Sequence, residues 1–155
     1  MSKYHQGHYV VKNKEKYIGK SEPYFRSSWE LKLCEMCDHH PNIVAWASEP
    51  ISIKYRHPFT LKISNYIPDF FVVYETAKGK RMSELIEIKP YSQTNPKYAV
   101  SKYDKEQIAI NSQKWKAALQ YCTKHGIRFK VITEQNIFKN TKYSSNTKKP
   151  GRRKN

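Results

Sequence analysis

The sequence predicts an α/β domain whose elements run helix, four strands, helix, strand, with a hairpin at the centre. Three observations lead there. Residues 66–74 are dense in β-branched and aromatic types and residues 84–88 in aliphatic ones, with a polar, Gly-containing connection between them. Two such runs around a short polar loop read as a β-hairpin. Apolar residues recur at three- to four-residue intervals from Trp29 and again from Ile108, the spacing of amphipathic helices. A last β-rich run, residues 127–133, follows the second of these.

Residues 1–22 carry Lys, His, Tyr and Gly without periodicity and are expected to form an N-terminal arm, anchored by Tyr4, Tyr9 and Tyr17. Ser27 or Ser28 can cap the first helix; Trp29, Leu33 and Met36 make its apolar stripe and Pro41 ends it. Cys34 and Cys37, with His39 and His40 close behind, invite a zinc reading. A structural zinc site takes a second ligand pair at a distance, and only Cys122 and scattered histidines are on offer. The cysteines are therefore expected to be small buried hydrophobes.

Residues 43–47 and 51–55 read as short strands broken at Ser48-Glu49-Pro50, with Glu49 a turn residue, and 56–62 as a loop. Residues 91–102 are polar and Pro-containing, expected to form a mobile loop in which Gln93 is a candidate substrate contact. Residues 104–125 carry Asn111, Trp115, Ala118 and Cys122 at helical spacing and stop at Gly126. The other face presents Lys105, Lys114, Lys116 and Lys124. It is either a solvated face or a track for a DNA backbone, with Lys114 and Lys116 as candidate substrate-binding residues. A helical turn around Ile137 and Phe138 would close a domain spanning 23–139. Residues 140–155 have too few apolar groups to offset ordering entropy and are expected to be a basic disordered tail.

With 155 residues the chain has room for a single core. Its 29 Lys and Arg against 13 Asp and Glu give a net charge of +16. Such an excess points to a polyanion, and to nucleic acid ahead of a membrane surface, since no segment reads as a basic amphipathic membrane helix. Residues 1–20 lack the apolar stretch of a signal peptide, and apolar runs such as residues 70–74 are far short of the ~20 residues of a membrane span. Three cysteines do not make a disulfide framework and fit a reducing compartment. The expectation is an intracellular protein without a membrane partner.

The hairpin's register carries the chemistry. A turn centred between Lys78 and Gly79 sets Asp69 opposite Ile88, flanked by Glu87 and Lys89. Side chains alternate along a strand, so Glu87 and Lys89 share a face, and an Asp, a Glu and a Lys gather at the hairpin's open end. Two close carboxylates repel unless a cation lies between them, and hard oxygen donors favour Mg²⁺ or Mn²⁺. Spacing alone leaves a second reading open, with Asp69 in a turn and residues 87–89 on a solvated strand face.

Pro68-Asp69 followed by Glu87-Ile88-Lys89 resembles the signature of the PD-(D/E)xK nuclease superfamily. Together with Ser27-Ser28-Trp29-Glu30 upstream and Ile88-Lys89-Pro90 after the acid, it resembles the TnsA-like branch. The runs Tyr17-Ile18-Gly19, Arg26-Ser27-Ser28-Trp29-Glu30-Leu31-Lys32, Trp46-Ala47-Ser48-Glu49 and Pro68-Asp69-Phe70-Phe71 are similar to the head completion nucleases of T-even-type tailed phages, a likeness covering residues 3–135.

The resemblance implies a restriction-endonuclease-like core, a mixed sheet flanked by helices. It implies metal-dependent hydrolysis of DNA, with Asp69 and Glu87 holding Mg²⁺ (Mn²⁺ substituting) and Glu30 a third acid holding the ion directly or through water. Lys89 would stabilise the transition state. The work would be trimming or cutting packaged DNA in the host cytoplasm before heads join tails, with portal, neck or tail proteins as partners and possible association with the virion. Two other readings stay open: a structural DNA- or portal-binding protein that cuts nothing, and a branched-DNA nuclease. Three acids gathered in a chain of charge +16 favour catalysis, because in a pure binder they would weaken phosphate binding.

Overall fold

The computed structural model describes residues 6–136. Tyr4, the turn expected at Ile137 and Phe138, and the tail 140–155 lie outside them. The first helix, α1 (Ser28–His39), starts where Ser27 accepts a hydrogen bond from Glu30 N at 3.2 Å. The second, α2 (Lys102–His125), is capped by Ser101 and closed by Gly126 in the left-handed conformation, φ +70°. No helix among the described residues is long and apolar enough to cross a membrane.

Two short strands, β1 (Gly7–His8) and β2 (Tyr24–Phe25), pair with each other before α1. The main sheet is formed by β3 (Ile43–Ser48), β6 (Phe70–Glu75), β7 (Arg81–Ile88) and β8 (Arg128–Ile132), in that spatial order. The first two junctions are antiparallel and β7 pairs β8 in parallel, with α2 as the crossover. Alternation along the strands supplies two cores. Phe70, Val72, Ile86 and Ile88 face α1, where Trp29, Leu33, Cys34 and Cys37 pack around the buried Trp46. Phe71, Leu85 and Phe129 face α2 and its Ala118 and Cys122.

Between the helices the chain makes five strands, one more than the periodicity marks. Residues 66–74 read as one run, yet they are broken at Pro68, which lacks the N–H a strand interior needs. The chain before it, β5 (Ile63–Tyr66), pairs instead with β4 (Ile53–Arg56) in a separate hairpin. That hairpin lays Ile53, Tyr55 and Tyr66 on α2. The expected mobile loop at 91–102 contains two 3₁₀ turns, Tyr91–Gln93 and Pro96–Tyr98, with the two tyrosine rings stacked at 4.2 Å.

The central hairpin differs by one residue from the expected register. Thr76 N donates to Lys80 O at 2.8 Å, closing a three-residue loop whose last member, Gly79, has φ +82°. An odd loop is centred on a residue, Lys78, and not on a bond. The ladder then runs from Glu75↔Arg81 to Phe70↔Ile86, and one step further Asp69 stands opposite Glu87, not Ile88. The correction tightens the constellation, since both carboxylates now lie on the α2 face of the sheet.

The N-terminal segment is tied down by one buried acid. Asp38, fully buried on α1, accepts from Tyr9 Oη at 2.6 Å, Lys12 N at 2.7 Å and Asn13 N at 2.9 Å. Tyr17 packs edge-on against Trp46, ring centroids 4.8 Å apart. Burial pushes the Asp38 carboxyl up, but the bonds from Tyr9, Lys12 and Asn13 outweigh it and hold the group below its usual range. A depressed pKa stabilises the fold above the ordinary carboxylate range and is lost as pH falls through the native value. Asp38→Ala should cost about 3 kcal/mol in urea unfolding at pH 7, the scale of orphaning donors to a buried charge. The deficit should shrink on acidification; a deficit that stays constant to pH 2 would mean the charge is not what anchors the segment.

Candidate active site

The site lies at the open end of the central hairpin, where Pro68 turns the chain out of β5 and into the sheet. Asp69 is fixed by its Oδ2, which accepts from Ile88 N at 2.7 Å, and its own carbonyl accepts from Glu49 N at 2.8 Å. Glu87, 4% exposed, accepts from Tyr66 Oη at 2.9 Å. The Glu87 charge acts directly on the Asp69 carboxyl. Lys89 stands two residues along the same face, its Nζ 3.7 Å from Glu87 Oε2.

The electrostatics follow from burial. Asp69 is pushed well up, first by desolvation and then by the Glu87 charge, with Glu30 adding to it. Desolvation also raises Glu87, opposed by Lys89, the Tyr66 hydroxyl and Lys114. Tyr66 itself is pushed far up by burial and the Glu87 charge, so it remains a neutral donor. Lys114 rises from α2 over the Tyr66 ring, 5.6 Å from its centroid, and over Tyr55 at 5.8 Å. Burial and then the like charge of Lys89 pull its pKa down, while Glu87 and Asp69 pull the other way.

The structure thus brings together Asp69, Glu87, Lys89 and Lys114. Glu30 stands at the edge of the group. It senses Lys89, and Asp69 senses it, but its Oε1 accepts from Arg26 N at 3.0 Å across the start of α1. No group of three or more acids, histidines or cysteines among the described residues is gathered closely enough for a metal cage. Gln93 is engaged elsewhere: its amide donates to Asp104 at 3.4 Å and its carbonyl accepts from Asn111 at 3.1 Å. Lys116 lies further along α2, lining a groove with Lys54 and Arg56 of the β4–β5 hairpin.

Two contacts were not legible in the sequence. Tyr66 looked like one more strand aromatic, and nothing in its spacing shows that its hydroxyl reaches Glu87. Glu49 is a turn residue, at φ +47°, but it also pairs with Arg26 and raises Glu30 through its charge.

A divalent ion fits this donor set. Two neighbouring carboxylates in a largely buried site repel, one lysine at 3.7 Å only partly offsets them, and both donors are hard oxygens. Residues 40–134 match the TnsA-like endonuclease N-terminal family. The chain belongs to the TnsA-like endonuclease family. It is also similar to the head completion nuclease of Enterobacteria phage T4, 33% identical over 144 residues that cover 86% of this chain and 93% of the relative. The TnsA-like match takes in Asp69, Glu87, Lys89 and Lys114; Glu30 precedes it.

The raised acids give this TnsA-like domain a pH signature. The native state keeps protons that the unfolded chain has released, so without divalent metal stability falls as pH rises from the ordinary carboxylate range, about 4, toward the raised values. Asp69→Asn removes one charge of the pair. In EDTA at pH 8 it should melt a few degrees above wild type, with the gap closing near pH 4. Thermal melts across pH test this, and parallel curves for the two proteins would show that the carboxyls do not repel.

Proposed function

We propose that this chain is a divalent-metal-dependent deoxyribonuclease that acts on packaged DNA in phage head completion, before heads and tails join. The observation that carries the reading is the pairing of half-buried Asp69 with buried Glu87, Lys89 beside them, in a chain of net charge +16. Membership of an endonuclease family supports the reaction class. The name of the phage T4 relative supports head completion as the setting; the host cytoplasm and portal, neck or tail proteins as partners are part of the proposal.

Asp69 and Glu87 would hold the ion, Mg²⁺ or Mn²⁺, with Glu30 as an outer acid. When bound, the ion supplies Lewis acidity toward the phosphate. The chain's own groups do the rest. Ile88 N and Tyr66 Oη fix the two carboxylates from either side, so their oxygens need not reorganise during reaction. Lys89 places positive charge where the attacked phosphate gains negative charge, and Lys114 adds a second cation from α2. Water adds to phosphorus, one P–O ester bond breaks, and the products are a phosphate end and a hydroxyl end.

Plasmid cleavage tests the reading. Wild type should nick or cut with Mg²⁺ or Mn²⁺ and not in EDTA, and Glu87→Ala and Lys89→Ala should each lose at least about a hundredfold in rate. Variants that cut as fast as wild type would remove the site from the hairpin, and metal-independent binding without any cutting would leave a structural DNA-binding protein. Tyr66→Phe, which removes one hydrogen bond to a charged group, should slow cleavage about tenfold with DNA affinity little changed. Single-turnover rates beside binding curves separate the two effects.

A further inference from the structure

The β4–β5 hairpin does more than pack on α2. Its inner face buries Ile53 and Tyr55, and at its base the buried Tyr66 holds Glu87. Its outer face exposes Lys54, Arg56 and Asn65. Its tip exposes two large apolar side chains, Phe59 at 58% and Leu61 at 64%. From Ile51 to Ile67 the sequence carries Lys54, Arg56 and Lys62 and no acid.

The tip is built, not slack. His57 N donates to Lys62 O at 2.9 Å and Leu61 N to His57 O at 2.8 Å. Phe59 N and Thr60 N both donate to His57 Nδ1, at 3.2 and 3.3 Å. Arg56 closes the other side by donating to Leu61 O at 2.7 Å. Leu61 is held at φ +62°, a left-handed conformation that is unfavourable for a residue with a side chain. A strained, hydrogen-bonded turn thus holds two hydrophobic side chains out in water, between basic strands. Apolar wedges flanked by phosphate-binding cations are how proteins part stacked bases, and aromatic tips stack on unpaired ones. Tyr66 and Leu61 are five residues apart, so the tip lies at most about 17 Å, roughly five base steps, from Tyr66.

We propose that this hairpin is a DNA wedge. Lys54, Arg56 and Lys62 hold phosphates while Phe59 and Leu61 stack against unpaired bases, so that the protein selects forked or frayed duplex over continuous duplex. The proposal rests on the reading of the chain as a DNA nuclease and names the substrate form that its site receives. Charge favours DNA over a protein partner for this surface, because every charged residue of the hairpin from Ile51 to Ile67 is a cation.

The test uses the full chain in EDTA, with a linear duplex and a forked duplex of the same sequence carrying 2-aminopurine at the branch. Wild type should bind the fork about tenfold tighter than the duplex, the scale of one stacked base, and change the 2-aminopurine fluorescence. Phe59→Ala combined with Leu61→Asn, which tolerates the left-handed backbone, should bring fork affinity down to the duplex level and abolish the fluorescence change. A folded double variant that keeps both would overturn the wedge and leave the tip to a protein partner. So would a wild type with no fork preference. If the double variant fails to fold, 5-iododeoxyuridine at the branch decides: photocrosslinks to Phe59 support the wedge, and crosslinks only elsewhere overturn it. Cleavage is scored separately with Mg²⁺ or Mn²⁺. Fork preference without cutting keeps the wedge and removes the nuclease, whereas cutting without fork preference does the reverse.

Discussion

Asp69 and Glu87 face each other across the open end of a β-hairpin, where Glu87 is buried and Asp69 half-buried, so water screens their repulsion poorly. The rest of the molecule is arranged around that repulsion. The ladder from Glu75↔Arg81 to Phe70↔Ile86 fixes their register, the Ile88 amide and the Tyr66 hydroxyl hold one carboxyl each, and Lys89 and Lys114 bring the compensating charge. A single residue of slip would turn one acid into the α1 core. The loop that prevents the slip is only Ala77, Lys78 and Gly79, and it depends on Gly79 accepting a positive φ that other residues resist.

The two helices serve the pair differently. The α2 helix packs directly beneath the site, bringing Lys114 over Tyr66 and continuing the basic surface to Lys116. The α1 helix supplies the opposite core, and its first turn carries Glu30 to the edge of the acids. Arg26 stands at the junction, donating its amide to Glu30 and pairing its guanidinium with Glu49. Asp38, at the far end of α1, binds the N-terminal segment so that Tyr9 and Tyr17 complete the core around Trp46. The acid that organises this end of the protein is held below its usual pKa range and is structural, whereas burial pushes the acids at the other end up, toward neutrality.

The β4–β5 hairpin joins site and surface in one element. Its base contributes Tyr66 to Glu87 and its tip holds Phe59 and Leu61 in solvent, so whatever engages the tip is mechanically linked to the carboxylates through a short, paired strand. The break at Pro68 makes this possible, because it frees residues 63–66 from the main sheet.

Local chemistry made several features legible from the chain alone. Ser27 and Gly126 mark helix ends because a side-chain acceptor and a left-handed residue are needed there whatever the tertiary context. The alternation of Glu87 and Lys89 on one strand face is likewise a property of extended backbone. The charge of +16 is a sum over the sequence. The tertiary structure decided what depends on counting across a turn or on contacts between distant segments. It placed Asp69 opposite Glu87, because the loop is three residues long; it split residues 66–74 into strands of two sheets; and it brought Tyr66 and Lys114 to the acids from elements that periodicity treats as unrelated. Pairing register and side-chain encounter are long-range quantities. A one-residue change in a loop alters them while leaving every local propensity the same.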